Sequence, residues 1–373
     1  MNAKEDIKAI FLKAIERVDP YTMITQNMSL QGDTLLISFN GKTLEEDLKN
    51  YRRIVVLGIG KASSKMGKAL EDILKERITT GKVVTKYGHG EKLGIITVVE
   101  AAHPIPDENS VMGAGELFKL AYEADEQTLI INLVSGGGSA LFSLPAEGVS
   151  LEDKQEMTRI LLECGADIKE INCIRKHISL VKGGQFARVS YPARMINIIL
   201  SDVIGDRLDT IASGITVADD TTFAQAQAII DKYHIQNRIP ESVSALIRSG
   251  LEGKVPDTPK PGDKAFEKIT NILLGNNAAA CRAARDYGVS LGYRSCYLTS
   301  SLSGEAREIA RFFTAMAKDI DQGISDLARP ALIVAGGETT VTIRGTGKGG
   351  RNQEMALAFL IDLLESYPDF QGI

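Results

Sequence analysis

The chain has 373 residues, of which 44% are hydrophobic and 24% charged, and a formal net charge of -5. That length exceeds one ordinary domain and fits two, each able to bury its own core. The acidic balance argues against a nucleic-acid partner, which needs a basic face, and neither a secretory leader nor an apolar run of the roughly 20 residues that span a bilayer is visible, so a cytoplasmic protein is expected.

Ala3–Val18 carries apolar positions at helical spacing and is read as a helix. Asp33–Phe39 is expected as a peripheral strand. The first buried strand is Arg53–Leu57, followed by Gly58-Ile59-Gly60-Lys61 and a helix from Ser63 to Arg77. Strand, glycine loop and helix in that order present N–H groups to phosphates in doubly wound sheets. Ser63 occupies the third glycine position of G-x-G-x-x-G, so the dinucleotide fingerprint fails, and no Walker-type loop exists. Lys61 is either a phosphate or carboxylate ligand or an exposed lysine at a helix start.

Lys82–Lys86 and Ile95–Val99 are further strands, the second running into Ala102-His103-Pro104, where the proline stops the sheet. His103 either hydrogen-bonds a substrate or is structural. A helix is expected over Asn109–Ala124. Thr128–Val134 is the plainest buried strand, and it ends in Ser135-Gly136-Gly137-Gly138-Ser139. Ligands in open α/β sheets sit beyond such strand ends, and three glycines there point to backbone wrapped around phosphate. A serine hydrolase is disfavoured, since Leu133 replaces the first glycine of the G-x-S-x-G elbow.

Helices are expected over Leu151–Cys164 and Ile168–Val189, the second holding Arg175, Lys176, His177 and Lys182-Gly183-Gly184. Strand Met195–Leu200 ends in Ser201-Asp202, with Asp206 beyond. These aspartates are hard oxygen ligands suited to Mg²⁺, or else an Asx turn and a helix cap. Helices Phe223–Tyr233 and Glu241–Ser249 follow. Residues 253–263 hold three prolines and two glycines and are read as a linker between domains 1–252 and 264–373. The second domain has strands Ile269–Leu274 and Arg294–Leu298, and helices Ala278–Gly288 and Gly304–Asp319. Ala331–Ala335, Gly336-Gly337 and Thr339–Ile343 read as strand, tight turn and strand. A basic glycine loop and a helical segment, Met355–Leu364, complete it. Glu338, Lys348, Arg351, Asn352 and Gln353 fall within this span, where a helix N-terminus beside two cations offers an anion site. Four cysteines without a C-x-x-C pair read as buried thiols in a reducing compartment.

LGIGKAS (57–63), HPIPDENS (103–110), LVSGGGSALF (133–142), RKHISLVKGGQFA (175–187), LSDVIGD (200–206) and GGETTVTIRGTGKGGRNQE (336–354) together resemble the glycerate kinase family of the DUF4147/MOFRL type, once labelled hydroxypyruvate reductases. The resemblance implies two α/β domains, the N-terminal one Rossmann-like with a mainly parallel sheet, and an active site in the interdomain cleft. It implies phosphorylation of D-glycerate by ATP with a divalent metal, 2-phosphoglycerate being the preferred product. Lys61 and Arg351 match the family's catalytic basic residues. Family chains continue past residue 373, so the MOFRL-like domain is expected to be truncated. On this reading Ser135, Gly136, Gly137, Gly138 and Ser139, with Gly60, Lys182 and Asn352, hold the nucleotide, and Asp202 and Glu338 hold Mg²⁺. A homodimer is the candidate assembly. The alternatives are an NAD(P)H-dependent hydroxypyruvate reductase and a sugar-phosphate-binding regulatory module.

Overall fold

The computed structural model describes residues 2–370. It divides into two compact units, Pro20–Leu274 and Met1–Asp19 with Gly275–Ile373. In the larger unit β1 (Met28–Gln31), β2 (Thr34–Phe39) and β3 (Lys42–Asp47) form an antiparallel sheet. The main sheet comprises β4 (Arg53–Ile59), β5 (Thr80–Lys86), β6 (Ile96–Ala101), β7 (Thr128–Ser135), β8 (Arg194–Leu200) and β9 (Ile269–Gly275). Its spatial order is β6-β5-β4-β7-β8-β9, and β4 to β8 pair in parallel. This is the doubly wound order, and it reverses between β4 and β7, where such sheets bind their ligands.

The sequence of β7 explains its central place. All eight residues are buried, and a strand covered on both faces carries a continuous apolar run rather than an alternating one. Leu129, Ile131 and Leu133 enter one core with Ile54, Val56, Met66 and Leu70. Ile130 and Val134 enter the opposite core with Val55, Leu57, Leu117 and Phe142. Truncating one such side chain to alanine costs about 2–5 kcal/mol. A third core joins helices Leu151–Glu163, Ile168–His177, Phe223–Lys232 and Glu241–Leu251.

In the smaller unit β10 (Arg294–Glu305) and β11 (Ala331–Thr340) pair in parallel. Helices Asn277–Ser290, Ala306–Asp321 and Arg351–Ser366 accompany them. Helix Ala3–Val18 packs on helix Asn277–Ser290, and Tyr293 Oη donates to Asp6 Oδ2 at 2.8 Å.

Several expectations change. Residues 253–263 lie within the larger unit rather than between units. Thr258 is buried there and donates to Asp219 Oδ2 at 3.0 Å, while Asp257 Oδ1 lies 2.9 Å from His177 Nε2. These polar anchors tie down a proline-rich stretch that would otherwise be mobile. The single helix expected over Ile168–Val189 stops at His177 and resumes as Gln185–Ser190. Gly183 and Gly184 adopt φ of +57° and +80°, which a helix cannot contain. The hairpin expected at Gly336-Gly337 is one continuous strand. A Cβ on Gly337 would lie 2.0 Å from the Leu302 carbonyl oxygen, so this glycine admits the neighbouring strand rather than a turn. All four cysteines are free. Among the described residues no helix is long and apolar enough to cross a membrane.

Candidate active site

The loops after β4 and β7 meet where the sheet order reverses. Gly60 leaves β4 with φ of +112°, and a Cβ on it would fall 2.3 Å from Ser135 Oγ. Only glycine allows this approach. Lys61 N donates to Gly136 O at 2.9 Å, and Ala62 N donates to Ser135 Oγ at 3.0 Å. Ser63, which breaks the dinucleotide fingerprint, is fully buried and donates to Gly60 O and Val84 O at 2.8 and 3.0 Å. It fastens the loop to the sheet, a role a third glycine could not fill.

The three glycines at 136–138 each face a different neighbour. A Cβ on Gly136 would come within 1.9 Å of Asp202 Oδ2. One on Gly137 would meet the His103 ring at 2.9 Å and Lys61 Cγ at 3.2 Å, and one on Gly138 would meet Ala212. The strand-end residues Lys61, His103 and Asp202 therefore surround bare backbone. Lys61 Nζ stands 3.6 Å from Asp202 Oδ2, with side-chain exposures of 40% and 57%. Burial, then the charges of Lys61 and Lys86, hold His103 below the usual histidine pKa. Its imidazole is therefore favoured in the neutral form, able to accept or donate a hydrogen bond.

Ser139 sits at the far end of the loop and gathers cations. Lys182 Nζ donates to its carbonyl at 2.8 Å and to its Oγ at 3.3 Å, while Arg175 Nη2 donates to the Oγ at 2.8 Å. The Ser213 and Ser139 hydroxyls lie 2.8 Å apart. Lys182 is wholly buried and braces the loop from within. Arg175 stands in the sequence as one basic residue of the helix expected over Ile168–Val189 and of the segment 175–187, and neither it nor Ser213 was given a role in the site. A usable signal was the three-residue spacing of Asn172 and Arg175, which puts both on one helix face. Lys176, also on that helix, is buried against Asp219 at 3.1 Å.

In the smaller unit the terminal helix begins at Arg351, four residues earlier than expected, with Gly350 as an N-cap that offers no side chain. Its first backbone N–H groups therefore lack a capping partner. Arg351 Nη1 donates to Glu338 Oε1, and both side chains are about half exposed. Glu338, Lys348, Gly349, Gly350 and Arg351 line a recess of about 990 Å³, closed on another side by Arg307, which holds Glu354 at 2.6 Å. Lys348, Asn352 and Gln353 are exposed.

Among the described residues no three His, Cys, Asp or Glu side chains are grouped to hold a metal. Magnesium asks for less, since one or two carboxylates suffice when phosphate oxygens and water complete an octahedron. Asp202, accessible and set against the bare backbone of Gly136, fits that demand, and Glu338 presents a second accessible carboxylate in its own unit.

Residues 6–248 match the family model described as a domain of unknown function, DUF4147, and residues 331–370 match the MOFRL family. The chain is 42% identical over 358 residues to a glycerate 2-kinase of Pyrococcus horikoshii, spanning 95% of this chain and 79% of that protein. A solved structure of a Pyrococcus horikoshii protein has a TM-score of 0.86 at 41% identity, covering 97% of this chain and 81% of that one. The crystal structure of a glycerate kinase from Thermotoga maritima gives 0.84 at 38%, covering 96% and 80%. Two family models in the expected order, and this likeness across nearly the whole chain, lead to one conclusion: the chain belongs to the glycerate kinase family of the DUF4147/MOFRL type.

Proposed function

We propose that the protein transfers the γ-phosphoryl group of ATP to D-glycerate, giving 2-phosphoglycerate and ADP. The observation that carries the reading is the pair of glycine loops fastened together where the sheet order reverses, with Lys61 and Asp202 at their rim. Phosphoryl transfer leaves the protein mainly the tasks of positioning and of stabilising charge on the equatorial oxygens. In this proposal the backbone of Ser135–Ser139 and Gly60 receives the nucleotide phosphates. Lys61 exchanges its exposed contact with Asp202 for a phosphoryl oxygen, a cheap exchange because such pairs contribute only about 0–1 kcal/mol. Arg351 gives up Glu338 in the same way and offers a planar fork suited to two oxygens of one anion.

The glycerate hydroxyl oxygen attacks the γ-phosphorus, the bond from that phosphorus to the bridging β-phosphate oxygen breaks to release ADP, and the hydroxyl proton passes to solvent water. Asp202 or Glu338 orients that hydroxyl or holds Mg²⁺. When bound, the metal would neutralise charge on the phosphate oxygens. Phosphorus NMR of a mixture of D-glycerate, ATP and Mg²⁺ tests both activity and regiochemistry, with 2-phosphoglycerate the expected product. Absence of any phosphoglycerate, together with NADH consumption on hydroxypyruvate, would replace the proposal by the reductase.

A further inference from the structure

Three basic side chains converge behind Ser139, with no carboxylate of the described residues among them. Lys182 and Arg175 both donate to Ser139, as described above. Lys154, from helix Leu151–Glu163, is the third, and its ammonium is buried with no hydrogen-bond partner. The charges of Lys154 and Arg175 act on Lys182, and that of Arg175 acts on Lys154. None of the three takes part in an ion pair with a described residue, whereas the next two residues after Arg175 are both matched, Lys176 by Asp219 and His177 by Asp257. Burying an ammonium without a counter-charge costs several kcal/mol, so folds normally pair such groups or expel them.

Other charges near Lys154 are engaged elsewhere. On its own helix Asp153 accepts from Ser242 Oγ, and Glu156 is held by Arg159. On the neighbouring helix Glu241–Leu251, Glu241 and Arg248 are exposed and lie 3.9 Å apart. Arg175 and Ser139 each keep part of their surface exposed and form the outer edge of the cluster, with Lys154 and Lys182 buried behind them.

We propose that Lys154, Arg175 and Lys182 form an oxyanion subsite with Ser139, in which the substrate carboxylate or a nucleotide phosphate supplies the counter-charge that the fold omits. This rests on the kinase reading for the identity of the anion, not for its charge. Arg175 and Ser139 contact the anion, and the two buried lysines set the potential behind it. Burial and Arg175 lower the Lys154 pKa to about 7. An arriving anion reverses that balance, so binding draws a proton from solvent onto the neutral Lys154 amine and makes it an ammonium.

The test is isothermal titration calorimetry at pH 8 in buffers of different ionisation enthalpy, with D-glycerate, ADP and inorganic phosphate as separate probes. We expect uptake of about half a proton to one proton per anion bound, with D-glycerate if the carboxylate is the ligand and with ADP if a phosphate is. Lys154→Met should abolish the uptake and weaken binding about tenfold or more. Binding without uptake in the native protein, or unchanged uptake in Lys154→Met, overturns the subsite. If that variant does not fold, the native protein labelled at lysine ¹³Cε decides. One resonance titrating near pH 7 must move upward by at least about one pH unit with saturating anion; if none moves, the proposal is wrong. Product formation without proton uptake defeats the subsite alone, and proton uptake without product defeats the kinase reading alone.

Discussion

The Asp202 carboxylate rests against the backbone of Gly136 so closely that a methyl group there would come within 1.9 Å of Oδ2. Gly136→Ala must therefore push Asp202 away from the rim it shares with Lys61. A displacement of about 1 Å at a reacting centre can cost about 10²-fold in rate. We expect that loss in kcat for Gly136→Ala, measured by ADP release, with the melting temperature little changed. Native turnover would show that Asp202 does not need its present position.

Lys61→Met separates catalysis from stability. Its contact with Asp202 is long and half exposed, so removing it should change folding free energy by less than about 1 kcal/mol. A charge contact made in the transition state is worth about 3–4 kcal/mol, or 10²–10³ in kcat. Turnover and thermal melts on one preparation decide whether the two effects part as stated.

Arg351→Lys keeps the charge and the helix start but loses the fork that meets two oxygens at once. Turnover should fall by about two orders of magnitude, and circular dichroism should be unchanged. A variant of near-native activity would remove Arg351 from the mechanism.

Stability should respond to pH through Lys154. Its pKa falls from 10.5 in the ordinary range to about 7 on folding, so between these values the unfolded chain binds more protons. Stability then rises with pH across that window, and this contribution is lost as pH falls through about 7. Urea melts at pH 7, 8 and 9 should show Lys154→Met at its greatest advantage over the native protein at pH 7. That advantage should shrink by about 1 kcal/mol per pH unit. A pH-independent difference would mean that Lys154 stays charged in the folded protein.

Gly337→Ala tests the smaller unit. Its Cβ would collide with the Leu302 carbonyl across the β10–β11 pair. Overpacking of this kind costs about 1–3 kcal/mol. Hydrogen exchange should accelerate in β10 and β11 and stay constant in β4 and β7.

How much of this was legible in the chain varied with physical cause. The strands β4 and β7 are nearly continuous apolar runs and could be placed to within two residues at their ends. By contrast, β3 reads Lys-Thr-Leu-Glu-Glu-Asp and owes its strand to register with β2, which no periodicity reveals. The loops at Gly60 and Gly136–Gly138 announced themselves because only glycine tolerates the approaches found there. Lys154 did not. It lies in Leu-Glu-Asp-Lys-Gln-Glu, where its neighbours are charged, and only tertiary packing decides that this ammonium is covered. Gly336 and Gly337 misled for the reason that Gly60 informed: a glycine admits a neighbouring chain as readily as a turn.

The attachment of helix Ala3–Val18 to helix Asn277–Ser290 has a consequence for biosynthesis. Helix Ala3–Val18 precedes Pro20–Leu274 in the chain and the rest of its body follows that stretch, so the helix must wait while Pro20–Leu274 is made. That intervening stretch holds its own sheet and cores and has all it needs to settle first. Its outgoing strand, β9, then hands the chain on to the partner that the waiting helix requires.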